Sequence, residues 1–219
     1  EVVRVCHLQS SDGALREGLL YDLLGRLKHE DARERTVRAL AARYHVDQKQ
    51  AARVARTART VLEQIESDCN LAMPLAGRIL EWSARLHEIG LDISHDGYQR
   101  HGAYIAAHAD LPGFPRAEQR FLAFLIGSQR HNINTRFQKI LPRAWRAEAL
   151  RLALLLRIAV LLNRSRSEID PPPIDMTVGP ASLALRFDSA WLNENPLTAA
   201  DLEREIEYAR AVGYELSFS

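Results

Sequence analysis

The sequence holds few reactive side chains: 219 residues include two cysteines, two methionines and no Cys-x-x-Cys pair. Cys6 and Cys69 have no metal-ligand spacing, and a single pair builds no disulfide framework, so a reducing cytoplasm and two buried thiols are the expectation. No apolar run reaches the ~18 residues that a membrane span needs. The strongest candidate, Leu150 to Leu162, is broken by Arg151 and Arg157. A glycine-rich phosphate loop, a Gly-x-Ser-x-Gly elbow and a His-Glu-x-x-His pair are all missing, which argues against P-loop, α/β-hydrolase and zincin chemistry. Net charge is small as well, formally +1. The start at Glu1-Val2-Val3-Arg4 has neither an initiating methionine nor a signal peptide, and the expectation is a fragment of a longer chain.

What is present is enough apolar material, 47% of residues, for one full core and a small second unit. The charges are unevenly placed. Between Gln129 and Arg166, nine basic residues (Arg130, Arg136, Lys139, Arg143, Arg146, Arg151, Arg157, Arg164 and Arg166) face Glu148 alone, a balance of +8. From Ser167 to Ser219 the balance is −7, and the first 128 residues cancel. Such asymmetry points to a localised anion-binding surface.

Hydrophobic spacing predicts a mainly helical fold. Residues 1–12, with Val2, Val3 and Val5, read as a strand and linker, and Leu15 to His29 as a helix. A helix follows Asp31, and Asp47 is a candidate N-cap for the next, which reaches Glu66. Pro74 opens a helix that runs to Ile89 and stops at Gly90. Further helices are expected over Tyr98–Ala109, Arg116–Gln129 and Arg143–Arg164, the last apolar on nearly all sides and therefore central. Pro171-Pro172-Pro173 ends the helical domain, placed at 13–168. A small α+β subdomain occupies 169–219: strands Ile174–Val178 and Leu183–Phe187 joined by Gly179-Pro180, a helix Leu197–Val212 with Thr198 as N-cap, and a strand Tyr214–Phe218. Trp82, Trp145 and Trp191 read as core or interface anchors.

Leu86-His87-Glu88-Ile89-Gly90, followed by His95, His101 and His108, resembles the metal-binding segment of an HD phosphohydrolase. Those enzymes set His and Asp ligands on neighbouring helices so that metal-activated water attacks a phosphate ester. Here Glu88 stands for the family aspartate, Gln50 for the first histidine before Val54-Ala55, and Val160 for the last aspartate. Valine ligates no metal, and a divalent ion needs several convergent O or N ligands, so the expectation is a fold without the metal site. The alternative is a variant nucleotide phosphohydrolase using His87, Glu88, His95 and His101 around a metal.

Gly13-Ala14-Leu15-Arg16-Glu17-Gly18, Arg43-Tyr44-His45-Val46-Asp47, Leu86-His87-Glu88-Ile89-Gly90, Arg100-His101-Gly102-Ala103-Tyr104, Asp110-Leu111-Pro112-Gly113-Phe114 and Asn163-Arg164 together resemble the C-terminal half of exopolyphosphatases and guanosine pentaphosphate phosphohydrolases. The ordered match spans most of 13–167, with Gln129-Arg130 departing from the family's His-Arg. The resemblance implies a missing N-terminal domain of actin-like ATPase fold that holds Mg²⁺ and cleaves the terminal phosphoanhydride of inorganic polyphosphate as an exopolyphosphatase, the alternative parent being a guanosine pentaphosphate phosphatase, with no catalytic or metal-binding residue in this fragment. It implies for this part a polyphosphate channel and a homodimer contact, with inorganic polyphosphate and the N-terminal catalytic domain as partners. The polyphosphate-binding candidates are His95, Arg100, His101, Arg130, His131, Arg136, Lys139, Arg164 and Arg166, since arginine forks grip phosphate through charge-assisted hydrogen bonds. For any single one a solvated helix face is an equal reading. Few aromatics interleave these cations, Phe137 and Trp145 being the exceptions, which argues against RNA stacking.

Overall fold

The computed structural model describes residues 32–65, 75–167 and 171–219. The expected strand and linker at 1–12, the helix Leu15–His29, Pro74 and both cysteines lie outside them. Helix α1 (Ala32–Arg43) leads through a tight turn into α2 (Gln48–Ile65). Asp47 caps α2 as its position demands, accepting from the Lys49 and Gln50 amides at 3.0 Å each. Helix α3 (Ala76–Arg85) buries Ile79, Leu80 and Trp82.

Helix α3 stops four residues before the expected Ile89. The backbone from Leu86 onward changes to tighter bonds, Ile89 to Leu86 at 3.1 Å and Leu91 to Glu88 at 2.9 Å. The His87 ring takes the Ala84 carbonyl, one of the acceptors a helix end leaves open. Gly90 is required where the turn crosses the next helix, since a Cβ there would sit 2.0 Å from the Tyr98 carbonyl oxygen. That helix is α4 (Tyr98–His108), and it packs most extensively on α5 (Arg116–Ser128).

Two short elements that the sequence reading lacks follow: α6 (Thr135–Gln138), capped by the Asn134 side chain, and a 3₁₀ turn at Arg143–Trp145. The turn replaces the first residues of the long helix expected from Arg143, because Pro142 enters it in an extended conformation. Helix α7 (Arg146–Leu162) is central, as expected; α2, α3, α5 and the C-terminal helix all rest on it. Leu152, Leu155 and Leu156 are fully buried, each contributing roughly 1.5–3 kcal/mol of hydrophobic stabilisation.

The C-terminal part holds β1 (Asp175–Val178), β2 (Ser182–Arg186), α8 (Ser189–Glu194), α9 (Pro196–Arg210) and β3 (Glu215–Phe218). Strand β1 pairs antiparallel with β2 (Asp175 opposite Arg186), and β3 joins the far edge of β2 in parallel (Ser182 opposite Glu215). The parallel pairing follows from the chain crossing over through α8 and α9. Thr198 is not an N-cap: α9 starts at Pro196, whose fixed φ and missing N–H suit a first turn, and Asn195 precedes it. Leu202, Ala209 and Leu216 join the same core as α7, so the sheet and the helices share one apolar interior. The fold is mainly helical with a small α+β C-terminal part.

Candidate functional site

The positions that echo an HD metal site do meet, at the turn after α3, the start of α2 and the ends of α5 and α7. Hydrogen bonds within the protein occupy most of them. Buried Gln50 donates from Nε2 to the Asn163 carbonyl at 2.8 Å, while its Oε1 accepts from Arg53 at 2.9 Å. Gln129 donates from Nε2 to the His87 carbonyl. His87 Nδ1 lies 2.7 Å from the Ala84 carbonyl, which can only accept, so the proton sits on Nδ1 and leaves Nε2 bare. Burial, reinforced by the Arg166 charge, pushes the His87 pKa down to about 4, and the ring is neutral near pH 7. Its 3.8 Å approach to Glu88 is therefore not an ion pair at that pH.

Glu88 is nearly buried. Burial raises its pKa, and the opposing pull comes from Arg166, whose Nη2 donates to Glu88 Oε1 while Nη1 donates to Asp47 Oδ2 at 2.9 Å. Arg166 adopts φ 54°, a left-handed conformation uncommon outside glycine, within the turn that closes α7. A guanidinium thus sits where Glu88 would face a cation. The described residues contain no group of three or more His, Cys, Asp or Glu able to hold a metal ion, and Val160 supplies no donor. The residues present do not fit a divalent metal, so no hydrolytic step is derived through one.

Beside this closed cluster, a small pocket of ≈ 80 Å³ opens between the end of α5, the last turns of α7 and α9. Arg130, His131, Arg164 and Arg204 line it together with Tyr208. Its volume falls far below the roughly 300 Å³ where pockets for drug-sized ligands begin, and suits a phosphate group. Arg157 forms its floor. That side chain is 1% exposed, clasps Glu205 with two nitrogens, donates to the Ser128 carbonyl and lies 4.9 Å from the Tyr208 ring centre. Arg164 pairs with Asp201, and Arg130 lies 5.5 Å over the Tyr98 ring. Both Asp201 and Glu205 come from the acidic tail, so Arg157 and Arg164 of the basic stretch meet the acidic stretch across the α7–α9 seam.

The structure gathers three of the nine anion-binding candidates, Arg130, His131 and Arg164, at that pocket. Arg166 is tied to Glu88 and Asp47. Arg136 and Lys139 are exposed on or just after α6. Arg100 lines a separate groove between α4 and α5, which His131 also borders. His95 is exposed in the turn before α4, and half-buried His101 lines neither cavity. Arg204 and Tyr208 were missed, although their i, i+4 spacing sets them on one helix face. The tail's negative total hid them.

Residues 32–206 match the family model "Ppx/GppA phosphatase, domain III". Three curated relatives share the name guanosine-5'-triphosphate,3'-diphosphate pyrophosphatase. That of Vibrio atlanticus is 34% identical over 220 residues, covering 99% of this chain and 43% of its own length. That of Vibrio cholerae serotype O1 is 36% identical over 208 residues, covering 94% and 41%. That of Photobacterium profundum is 33% identical over 216 residues, covering 99% and 43%. This chain therefore spans less than half the length of these relatives. A match over most of the chain, on the helices that carry the closed cluster and the basic pocket, places the protein in the Ppx/GppA phosphatase family, with its domain III at residues 32–206.

Proposed function

We propose that this chain is the phosphate-holding, non-catalytic region of an enzyme that hydrolyses the terminal phosphoanhydride of guanosine 5′-triphosphate 3′-diphosphate. The observation that carries the reading is the convergence of Arg130, Arg164 and Arg204 on one small pocket beside a cluster in which Gln50, at the place of an HD histidine, donates to a backbone carbonyl instead. The relatives' names supply the nucleotide. On this reading Mg²⁺ and the catalytic residues belong to an N-terminal domain of the same cytoplasmic enzyme, and this region also contributes to a homodimer. A second reading, inorganic polyphosphate as in an exopolyphosphatase, is favoured by the exposed Arg136, Lys139 and Arg143, which extend the cationic surface beyond what one nucleotide needs.

The test uses the full-length protein and the 219-residue chain side by side. The full-length enzyme with Mg²⁺ is expected to release phosphate from the guanosine nucleotide, and the chain alone to bind it without turnover. Each charge-assisted hydrogen bond contributes roughly 1.5–3 kcal/mol, so Arg130→Ala with Arg204→Ala is expected to weaken binding at least tenfold and flatten its salt dependence. Phosphate release by the isolated chain, or unchanged affinity in the double variant, overturns the proposal. Preference for long-chain polyphosphate over the nucleotide selects the second reading.

A further inference from the structure

The basic pocket at the ends of α5, α7 and α9 is lined by arginines and also by two carboxylates of α9, Asp201 and Glu205. The two acids are held in different ways. Glu205 meets Arg157 with both oxygens, and the two side chains are only 12% and 1% exposed. Separating that pair strands a charge in a nearly dry interior, so Glu205 belongs to the permanent floor of the pocket.

Asp201 lies at the surface. Its Oδ2 accepts from Arg164 Nη1, while its Oδ1 stands 4.0 Å from Arg204 Nη1, at the outer limit of an ion pair. The Arg164 and Arg204 side chains are both more than half exposed, and water screens most of the worth of such pairs. One loosely held carboxylate therefore stands between guanidinium groups from two elements, Arg164 just past the end of α7 and Arg204 on α9. A phosphate entering the pocket meets Arg164 already engaged and a like charge beside it. Arginine serves carboxylate and phosphate through the same nitrogens, so the phosphate gains Arg164 in full only as Asp201 releases it.

We infer that Asp201 is a displaceable internal counter-ion of the basic pocket, which holds Arg164 in the free protein and yields it to a phosphoryl group. This sets the charge that a ligand must carry. Replacing one carboxylate with a singly charged anion gains no attraction, whereas a phosphoryl dianion brings one charge more. The inference rests on the phosphate-holding reading above and names the residue that tunes it.

Isothermal titration of the full-length protein with inorganic pyrophosphate, without Mg²⁺, tests the exchange; binding at the pocket is the part that Arg130→Ala with Arg204→Ala removes. Asp201→Asn keeps the shape and loses the charge, and is expected to bind pyrophosphate about fivefold tighter, with its thermal melt little changed. Glu203→Gln removes an exposed acid of α9 that does not line the pocket, and is expected to leave the affinity as it was. In an Arg164→Ala background the gain from Asp201→Asn is expected to shrink. Nitrate is expected to compete with pyrophosphate at lower concentration in Asp201→Asn than in the unaltered protein. Unchanged or weaker pyrophosphate binding in Asp201→Asn overturns the inference, and so does equal tightening by Glu203→Gln, which would make the effect one of net charge. If pyrophosphate binding is absent, or indifferent to Arg130→Ala with Arg204→Ala, the phosphate reading falls and this inference with it. If that binding is present and Asp201→Asn leaves it unchanged, this inference falls alone.

Discussion

The closed cluster around His87 and the open groove between α4 and α5 are two polar sites built from adjacent parts of one helical scaffold. At the cluster, His87, Glu88 and Gln50 each engage a partner from the protein itself, with Gln129 Oε1 the orphan that remains. On two residues that line the groove, the buried atoms Gln99 Oε1 and Ser128 Oγ engage none among the described residues. An unsatisfied buried group costs about 1–3 kcal/mol, so a protein keeps one where something else completes it. Closed polar groups should matter for stability and little for ligand affinity. Unpartnered ones should cost stability instead.

The largest expected effect lies on the closed side, at the α7–α9 seam. Arg157→Ala leaves Glu205 and the Ser128 carbonyl without their partner in a nearly dry interior, and breaking a buried pair from one side costs about 3–5 kcal/mol. Urea unfolding followed by circular dichroism reads this directly. Replacing both Arg157 and Glu205 with Met should recover most of the loss, because the uncompensated charge is then gone. A single variant that unfolds like the unaltered chain would show that the seam's charges are solvated.

Next comes acid sensitivity. The His87 pKa is depressed from 6.5 to about 4 in the folded state, so the unfolded chain takes up a proton first as pH falls. The stabilisation is complete above pH 6.5 and is lost progressively between 6.5 and 4, a total of about 3 kcal/mol. His87→Gln keeps a donor for the Ala84 carbonyl and removes the titration. Its stability should therefore fall less steeply across that window, as read by thermal melts at half-unit pH steps. Gln50→Ala should cost less, about 1–3 kcal/mol, from the unsatisfied Asn163 carbonyl and the freed Arg53. A loss of nucleotide affinity larger than its loss of stability would mean that the cluster is not closed.

The sequence disclosed these two sites unequally, for physical reasons. Helix α7 was legible because Leu152, Leu155, Ile158 and their neighbours are apolar on every side, and Asp47 because capping chemistry is local. The end of α3 was not legible, since a histidine ring competing for the Ala84 carbonyl and a glycine passing under α4 are tertiary facts. Charge counting marked 129–166 as basic but missed that Asp201 and Glu205 fold back onto it. Arg204 belongs to an acidic segment, and only α9 lying against α7 brings it to Arg130.

The smallest effect has the opposite sign. Ser128 sits in the last turn of α5 with its hydroxyl buried and unpartnered, while its carbonyl serves Arg157. Ser128→Ala leaves that carbonyl in place, removes the orphan oxygen and substitutes a better helix former. The free protein should become more stable by roughly 0.5–1 kcal/mol. Thermal melts decide it: the variant should melt above the unaltered chain. A variant that melts lower would show that the hydroxyl is satisfied in the folded chain.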